Sequence, residues 1–219
     1  MRIGIIGAGA MAAALGTRWA AAGHELMVAG RTAGKADELA RRWGGRSATV
    51  PEVAAFGDVV LVAVRYQQVP AVLAAIGDTL HGTPVVDCTN PVETTHFTLV
   101  TEPGRSMAQE IAEATGGHVV KAFNLCEARV WQLDPPMFDG RRLTVPYCGD
   151  NAAALELTRR LIADLGGDPL PVGDLRHAHH LEAMAAIVIS LLFGGHDPYT
   201  VFNLVTTDPG HRHPAQPAR

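Results

Sequence analysis

The sequence predicts an α/β protein: a doubly wound, mostly parallel sheet with a small C-terminal helical cap. Three observations predict it. Short apolar runs of strand length alternate with segments of helical periodicity from the first residue to about Asp150. The run Asp58 to Val64 is apolar at every position after the first, as in a strand buried on both faces. Hydrophobic residues make up 47% of the chain but aromatics only 5%, so the core must be built from Ala, Val, Leu and Ile.

Taken in order, Arg2–Ile6 reads as the first strand and Ala10 to Ala22 as a helix stopped by Gly23. Leu26 to Ala29 is the second strand. Ala33 to Trp43 is a helix with Lys35, Glu38, Arg41 and Arg42 on its wet face. A loose segment leads to the strand Asp58 to Val64. Val69 to Leu80 is a helix carrying Pro70 in its first turn, where no N–H is missed. Pro84 to Asp87 is a strand, Gly104 to Thr115 a helix and His118 to Phe123 a strand. Leu143 to Cys148, Ala152 to Leu165 and Pro169 to Val172 follow as strand, helix and short strand. The helix Leu181 to Phe193 is apolar almost all round, which asks for full burial and, in a chain of 219 residues, for a second subunit to provide it. A homodimer is the expectation. From Asp208 the chain is rich in Pro and poor in apolar residues, so residues 208–219 are expected to be disordered. The expected division is a nucleotide-binding domain over 1–150, a cap and dimerisation region over 151–207, and the tail.

The first βαβ unit carries the sharpest chemistry. Gly7-Ala8-Gly9-Ala10-Met11-Ala12 stands where a strand ends and a helix begins. Gly7 can make the tight turn, and Gly9 has no Cβ to hold a pyrophosphate away. Ala10 and Met11 open a helix whose free N–H groups and dipole favour anions, and the small Ala12 lets that helix pack on the strand. This is the dinucleotide fingerprint of a Rossmann-type domain. After the second strand an NAD site usually places a carboxylate on the ribose 2′-hydroxyl. Here Gly30-Arg31-Thr32, with Lys35 beyond, supplies cationic and hydroxyl groups suited to a 2′-phosphate, so NADP(H) is the expected cofactor.

In such a sheet, ligands lie beyond the carboxyl ends of the strands. Val64 and Arg65 should flank the path from adenine to nicotinamide, with Tyr66 next to them. Asn90 and Pro91 should lie by the nicotinamide and could hold its carboxamide. Ala122 and Asn124 should line the same end, Asn124 facing the hydride acceptor. A small carbonyl or imine substrate would gain from a proton donor. Tyr66, His96, Cys126 and His180 are the candidates, none with a signature spacing.

The net charge of −4 offers nothing to a nucleic acid or an anionic membrane. Cys88, Cys126 and Cys148 are odd in number and far apart, which argues against disulfides and a cysteine zinc site. His177, His179 and His180 lack a supporting carboxylate or thiol at ligand spacing, so no metal is expected. Without a signal peptide or an apolar run of membrane-spanning length, a cytoplasmic protein is expected.

Longer stretches carry a resemblance. The opening Arg-Ile-Gly-Ile-Ile-Gly-Ala-Gly, Ala22 to Glu25, Gly30-Arg31, Lys35-Ala36, Arg105 to Glu110, Val119 to Asn124, Val145 to Asp150 and Leu181-Glu182 come in an order that resembles the NADP-dependent coenzyme F420 oxidoreductase family, from Met1 to about Val205. The resemblance implies NADP(H) on the large domain, with Arg31 on the 2′-phosphate. A second redox partner, a deazaflavin such as coenzyme F420, would lie under the C-terminal region and exchange a hydride with the nicotinamide. Two departures stand out: Asn124 occupies a position that is often His in members using F420, and Gly30 replaces the usual hydroxyl residue before the Arg. Two functions follow. One is an NADP(H)-dependent oxidoreductase acting on a deazaflavin or on a small imine or carbonyl compound of a biosynthetic pathway. The other is a non-catalytic NADP(H)-binding sensor or regulatory subunit.

Overall fold

A computed structural model describes residues 1–138 and 140–196. The expected disordered tail, and the part of the expected cap beyond His196, lie outside the described residues. The elements are β1 (Arg2–Ile6), α1 (Ala10–Ala21), β2 (Glu25–Ala29), α2 (Ala33–Trp43), β3 (Arg46–Ser47), α3 (Val50–Phe56), β4 (Val59–Val62), α4 (Val69–Ile76), β5 (Pro84–Asp87), α5 (Met107–Thr115), β6 (His118–Lys121), β7 (Met137–Phe138), β8 (Arg141–Arg142), β9 (Thr144–Gly149), α6 (Ala152–Asp164), β10 (Asp168–Pro171) and α7 (Ala178–Phe193).

Eight strands form one sheet in the order β10-β9-β6-β5-β4-β1-β2-β3, and β7 and β8 make a separate antiparallel pair. Strands β1 to β6 run parallel, β9 is antiparallel to β6, and β10 is parallel to β9. This is the doubly wound α/β architecture expected, with its reversal of strand order between β1 and β4. The strands β9 and β10 extend the sheet, and α6 between them packs on its face.

Register sets the position of the site. Ile6 stands opposite both Ala29 and Val62, Val62 opposite Asp87, and Asp87 opposite Lys121. The last residues of β2, β1, β4, β5 and β6 thus form one row across the sheet, and the turns that follow them share one edge. Four strand spacings separate β2 from β6, about 19 Å.

Apolar layers lie on both faces. On one, Ile3, Ile5, Leu15, Trp19, Leu61, Val86 and Val120 pack under α1 and α6; on the other, Ile6, Val60, Val62, Val85, Ile111 and Val119 pack under α3, α4 and α5. The Trp19 indole is fully buried, and its N–H donates to the Leu161 carbonyl at 3.0 Å, tying α1 to α6. On that side Phe123 stands edge-on between Trp19 and Trp131, with ring centroids 5.9 and 5.2 Å away.

Four expectations need correction. The loose segment contains β3 and a two-turn helix, α3, which opens with a reciprocal capping box between Thr49 and Glu52. The strand Asp58 to Val64 shortens to Val59–Val62, and the chain bends at Val64. The strand expected to reach Phe123 stops at Lys121, since Phe123 adopts φ +63°, which ends a ladder. The helix expected from Gly104 begins at Met107, where the Ser106 hydroxyl accepts from the Gln109 N–H.

Candidate functional site

The row of turns brings the fingerprint together. Gly7 donates its N–H to the Ala29 carbonyl at 2.8 Å and has φ +129°. A Cβ there would lie 2.2 Å from the Ala63 carbonyl oxygen, so β1 and the turn after β4 can approach this closely only at glycine. Gly9 caps α1 without a side-chain bond to the helix, and a Cβ built on it meets nothing within 4 Å. The first N–H groups of α1 therefore face open space past an atom that is absent, as an anion site requires. Ala10 is exposed and Met11 half-buried beside them.

Past β2, Gly30 is half-buried while Arg31, Thr32 and Lys35 are exposed. Thr32 caps α2 with no side-chain hydrogen bond to that helix. Among the described residues the Arg31 guanidinium and the Lys35 ammonium have no carboxylate partner. Two cations, a free hydroxyl and a helix N-terminus thus converge at the end of β2. In the turn after β4, Val64 is half-buried, Arg65 exposed and Tyr66 half-buried at the start of a short 3-10 turn.

The turns after β5 and β6 are joined. The Asn90 amide donates to the Asn124 backbone carbonyl at 2.8 Å, and the Asn124 amide donates to Asn90 Oδ1 and to the Leu181 carbonyl, both at 3.0 Å. Two carbonyl-type acceptors fix which end of the Asn124 amide is nitrogen. Its Oδ1 is buried and has no protein partner. Pro91 and Ala122 are buried against this pair. A cavity of about 60 Å³ opens beside it, lined by Phe123 to Cys126, Trp131 and Thr144 to Pro146, with no charged side chain.

Beneath the pair lies a group that sequence reasoning missed. Lys121, Asp87 and Glu182 are fully buried. The ammonium donates to Asp87 Oδ2 at 2.8 Å, to the Thr89 carbonyl at 2.6 Å and to Glu182 Oε1 at 2.7 Å, which uses all three of its protons. Burial pulls the Lys121 pKa down, but the two carboxylates outweigh it and hold it above the ordinary lysine value. Burial raises the Glu182 carboxyl, with Lys121 opposing. The Glu182 oxygens also accept from the Met107 N–H at the start of α5, each at 3.1 Å. The signal was present in the sequence: charges closing two otherwise apolar strands, and the lone acid of an apolar helix.

The proton-donor candidates do not gather. The His96 side chain is 79% exposed, on a loop whose N–H groups at Thr95, His96 and Thr98 are taken by Glu93. Those bonds outweigh partial burial and hold the Glu93 carboxyl down to about 2. Burial pushes the Cys126 thiol up to about 11. His180 is exposed, and its ring lies tilted at 45° to that of His179, with centroids 3.9 Å apart. Among the described residues no three His, Cys, Asp or Glu side chains are grouped to hold a metal.

Comparison with known proteins agrees with this geometry. Residues 2–91 match the family model described as NADP oxidoreductase coenzyme F420-dependent. The chain is 30% identical over 187 residues to Metalloreductase STEAP3 of Rattus norvegicus, a match covering 84% of this chain but 36% of that protein, so the chain spans little more than a third of that relative. It is 27% identical over 210 residues to F420-dependent NADP reductase of Methanothermobacter thermautotrophicus, covering 87% and 89% of the two chains. A solved structure from Arthrobacter sp. FB24, named for F420-dependent NADP reduction, superposes with TM-score 0.76 at 26% identity over 89% of this chain and 95% of that one. An imine reductase from Myxococcus stipitatus, at 24% identity and TM-score 0.68 over 89% of this chain and 63% of that one, shares the fold. Over residues 2–91 the chain is thus similar to the NADP oxidoreductase, coenzyme F420-dependent, family.

Proposed function

We propose that this chain is an NADP(H)-dependent oxidoreductase, passing a hydride between NADPH and a second partner. The observation that carries the reading is the row of turns: an uncapped α1 N-terminus behind Gly9 at one point, and, one strand away, Arg31, Thr32 and Lys35 with no competing carboxylate among the described residues. Gly7, Gly9, Ala10 and Met11 would hold the pyrophosphate. Arg31, Thr32 and Lys35, at the edge of Gly30, would hold the 2′-phosphate, with Val64 and Arg65 along the path between. Asn90, Pro91, Ala122 and Asn124 would border the nicotinamide. The bound cofactor would supply the hydride, so the residues around it need chiefly to orient and to exclude water.

For the second partner, the unpaired Asn124 Oδ1 beside a small, uncharged cavity supports a small C=N compound, whose iminium N–H can donate to that oxygen. The F420-named relatives support a deazaflavin. The deciding experiment follows absorbance at the F420 and NADPH bands, then NADPH oxidation with a panel of cyclic imines and ketones. Exchange with F420 assigns the deazaflavin, and turnover of imines alone assigns the small substrate.

The dispersed proton donors favour one other reading, a non-catalytic NADP(H) sensor, which predicts tight NADPH binding without turnover of any acceptor. Met184, Ile187, Leu192 and Phe193 are exposed apolar side chains on α7. A homodimer joined there is part of the proposal, and light scattering at micromolar concentration tests it. No helix among the described residues is long and apolar enough to cross a membrane, which supports a cytoplasmic site of action.

A further inference from the structure

Three charges buried together bring little net stability, because desolvation cancels most of their attraction; apolar residues of the same shape often serve as well. The contacts of Lys121, Asp87 and Glu182 point to positioning. Thr89 is held at both of its backbone groups, its N–H by Asp87 Oδ1 at 2.9 Å and its carbonyl by the Lys121 ammonium. Asn90 is the next residue. On the other side, Leu181 accepts from the Asn124 amide, and Glu182, next in the chain, takes the ammonium. One cation therefore fixes the turn carrying Asn90, the last residue of the strand leading to Asn124, and the second turn of α7. Glu182 extends the clamp to α5 through the Met107 N–H. None of these contacts reaches α1, α2 or the end of β2.

We propose that Lys121, Asp87 and Glu182 are positioning residues that set the Asn90–Asn124 pair and so hold the nicotinamide end of the cofactor, with the seating of α7 coupled to it and the adenosine end left independent. This rests on the NADP(H) reading above. The test measures dissociation constants of two probes by calorimetry: NADPH, and 2′-phosphoadenosine 5′-diphosphoribose, which has the pyrophosphate and 2′-phosphate but no nicotinamide. Glu182→Gln should weaken NADPH at least tenfold and the fragment less than twofold. The triple variant Asp87→Asn/Lys121→Met/Glu182→Gln leaves no buried charge unpaired, keeps acceptors for the Thr89 and Met107 N–H groups, and should show the same selective loss even where the single variant folds poorly. Arg31→Ala should weaken both probes together. Wild-type protein that binds both probes, with variants that lose both equally or neither, overturns the positioning role alone. Wild-type protein that binds neither overturns the NADP(H) reading and the proposal with it.

Discussion

Replacing Lys121 by Met removes the one cation from a fully buried cluster and leaves Asp87 and Glu182 facing each other across a space that water does not reach. Each ion pair, at 2.8 and 2.7 Å, has a gross attraction of about 6 kcal/mol at an effective dielectric constant of 20. Desolvation offsets most of this in the wild type. Stranding the carboxylates has no such offset and costs about 3–5 kcal/mol. A whole domain has only about 5–15 kcal/mol of stability, and at this size each kcal/mol moves Tm by about 2–4 °C, so Lys121→Met should melt about 6–20 °C below wild type. Its pH dependence should also move to a different window. In wild type the raised Lys121 pKa contributes stability that is complete below the ordinary lysine value and lost only as alkali passes the folded one. In the variant, burial and mutual repulsion lift both carboxyls above their unfolded values, so stability should be greatest in acid, below about pH 4, and fall as pH rises. Circular dichroism melts at pH 4, 7 and 9 read both effects. The triple variant above should recover at least half of the lost Tm at pH 7. A single variant melting within 2 °C of wild type, or one gaining nothing on acidification, refutes the reasoning.

Other perturbations separate stability from binding. Gly9→Ala should leave Tm unchanged and weaken NADPH severalfold, whereas Gly7→Ala should lower Tm, because its Cβ would meet the Ala63 carbonyl oxygen; melts beside NADPH titrations distinguish them. Arg31→Ala should weaken NADPH strongly and NADH little, since the lost contact is to the 2′-phosphate; equal losses would remove Arg31 from that role. Partial burial works against the Glu93 carboxyl, yet three backbone N–H groups depress it to about 2. The order it gives the 93–98 loop is therefore present above the usual glutamate range and lost as pH falls from about 4.5 toward 2; exchange of the Thr95 and His96 amides should accelerate across that window relative to their intrinsic rates. Cys126 stays protonated with a pKa of about 11, and Cys88 and Cys148 with about 12, so iodoacetamide at pH 7.5 should label folded protein far more slowly than unfolded, by mass spectrometry.

Elements governed by local physics were legible. The strand Arg2–Ile6, the helix Ala33–Trp43 and the strand Pro84–Asp87 fall at the residues their apolar patterns predict. The helix α3 was also legible, through Thr49, Pro51 and Glu52 in capping-box spacing, but its shortness hid the apolar period. What sequence could not reveal was set by distant partners. Nothing near Phe123 announces a positive φ; its ring is held between Trp19 and Trp131, which tertiary packing brings together. The Asn90–Asn124 link spans 34 residues and the Lys121–Glu182 pair 61, so the turns could be placed while their joining could not. The exposed lie of His96 likewise depends on Glu93 folding the loop back on itself.

The aromatic trio has an optical consequence. The chain has three tryptophans, and two of them flank Phe123, the residue before Asn124. Any motion of that turn changes the surroundings of both indoles at once, while the Trp43 N–H is held by the Thr17 hydroxyl on α1. Emission from the protein itself thus watches the proposed nicotinamide end, and a reduced nicotinamide bound there, which absorbs where indole emits, would quench it. Stopped-flow fluorescence can then time cofactor arrival without a dye or label.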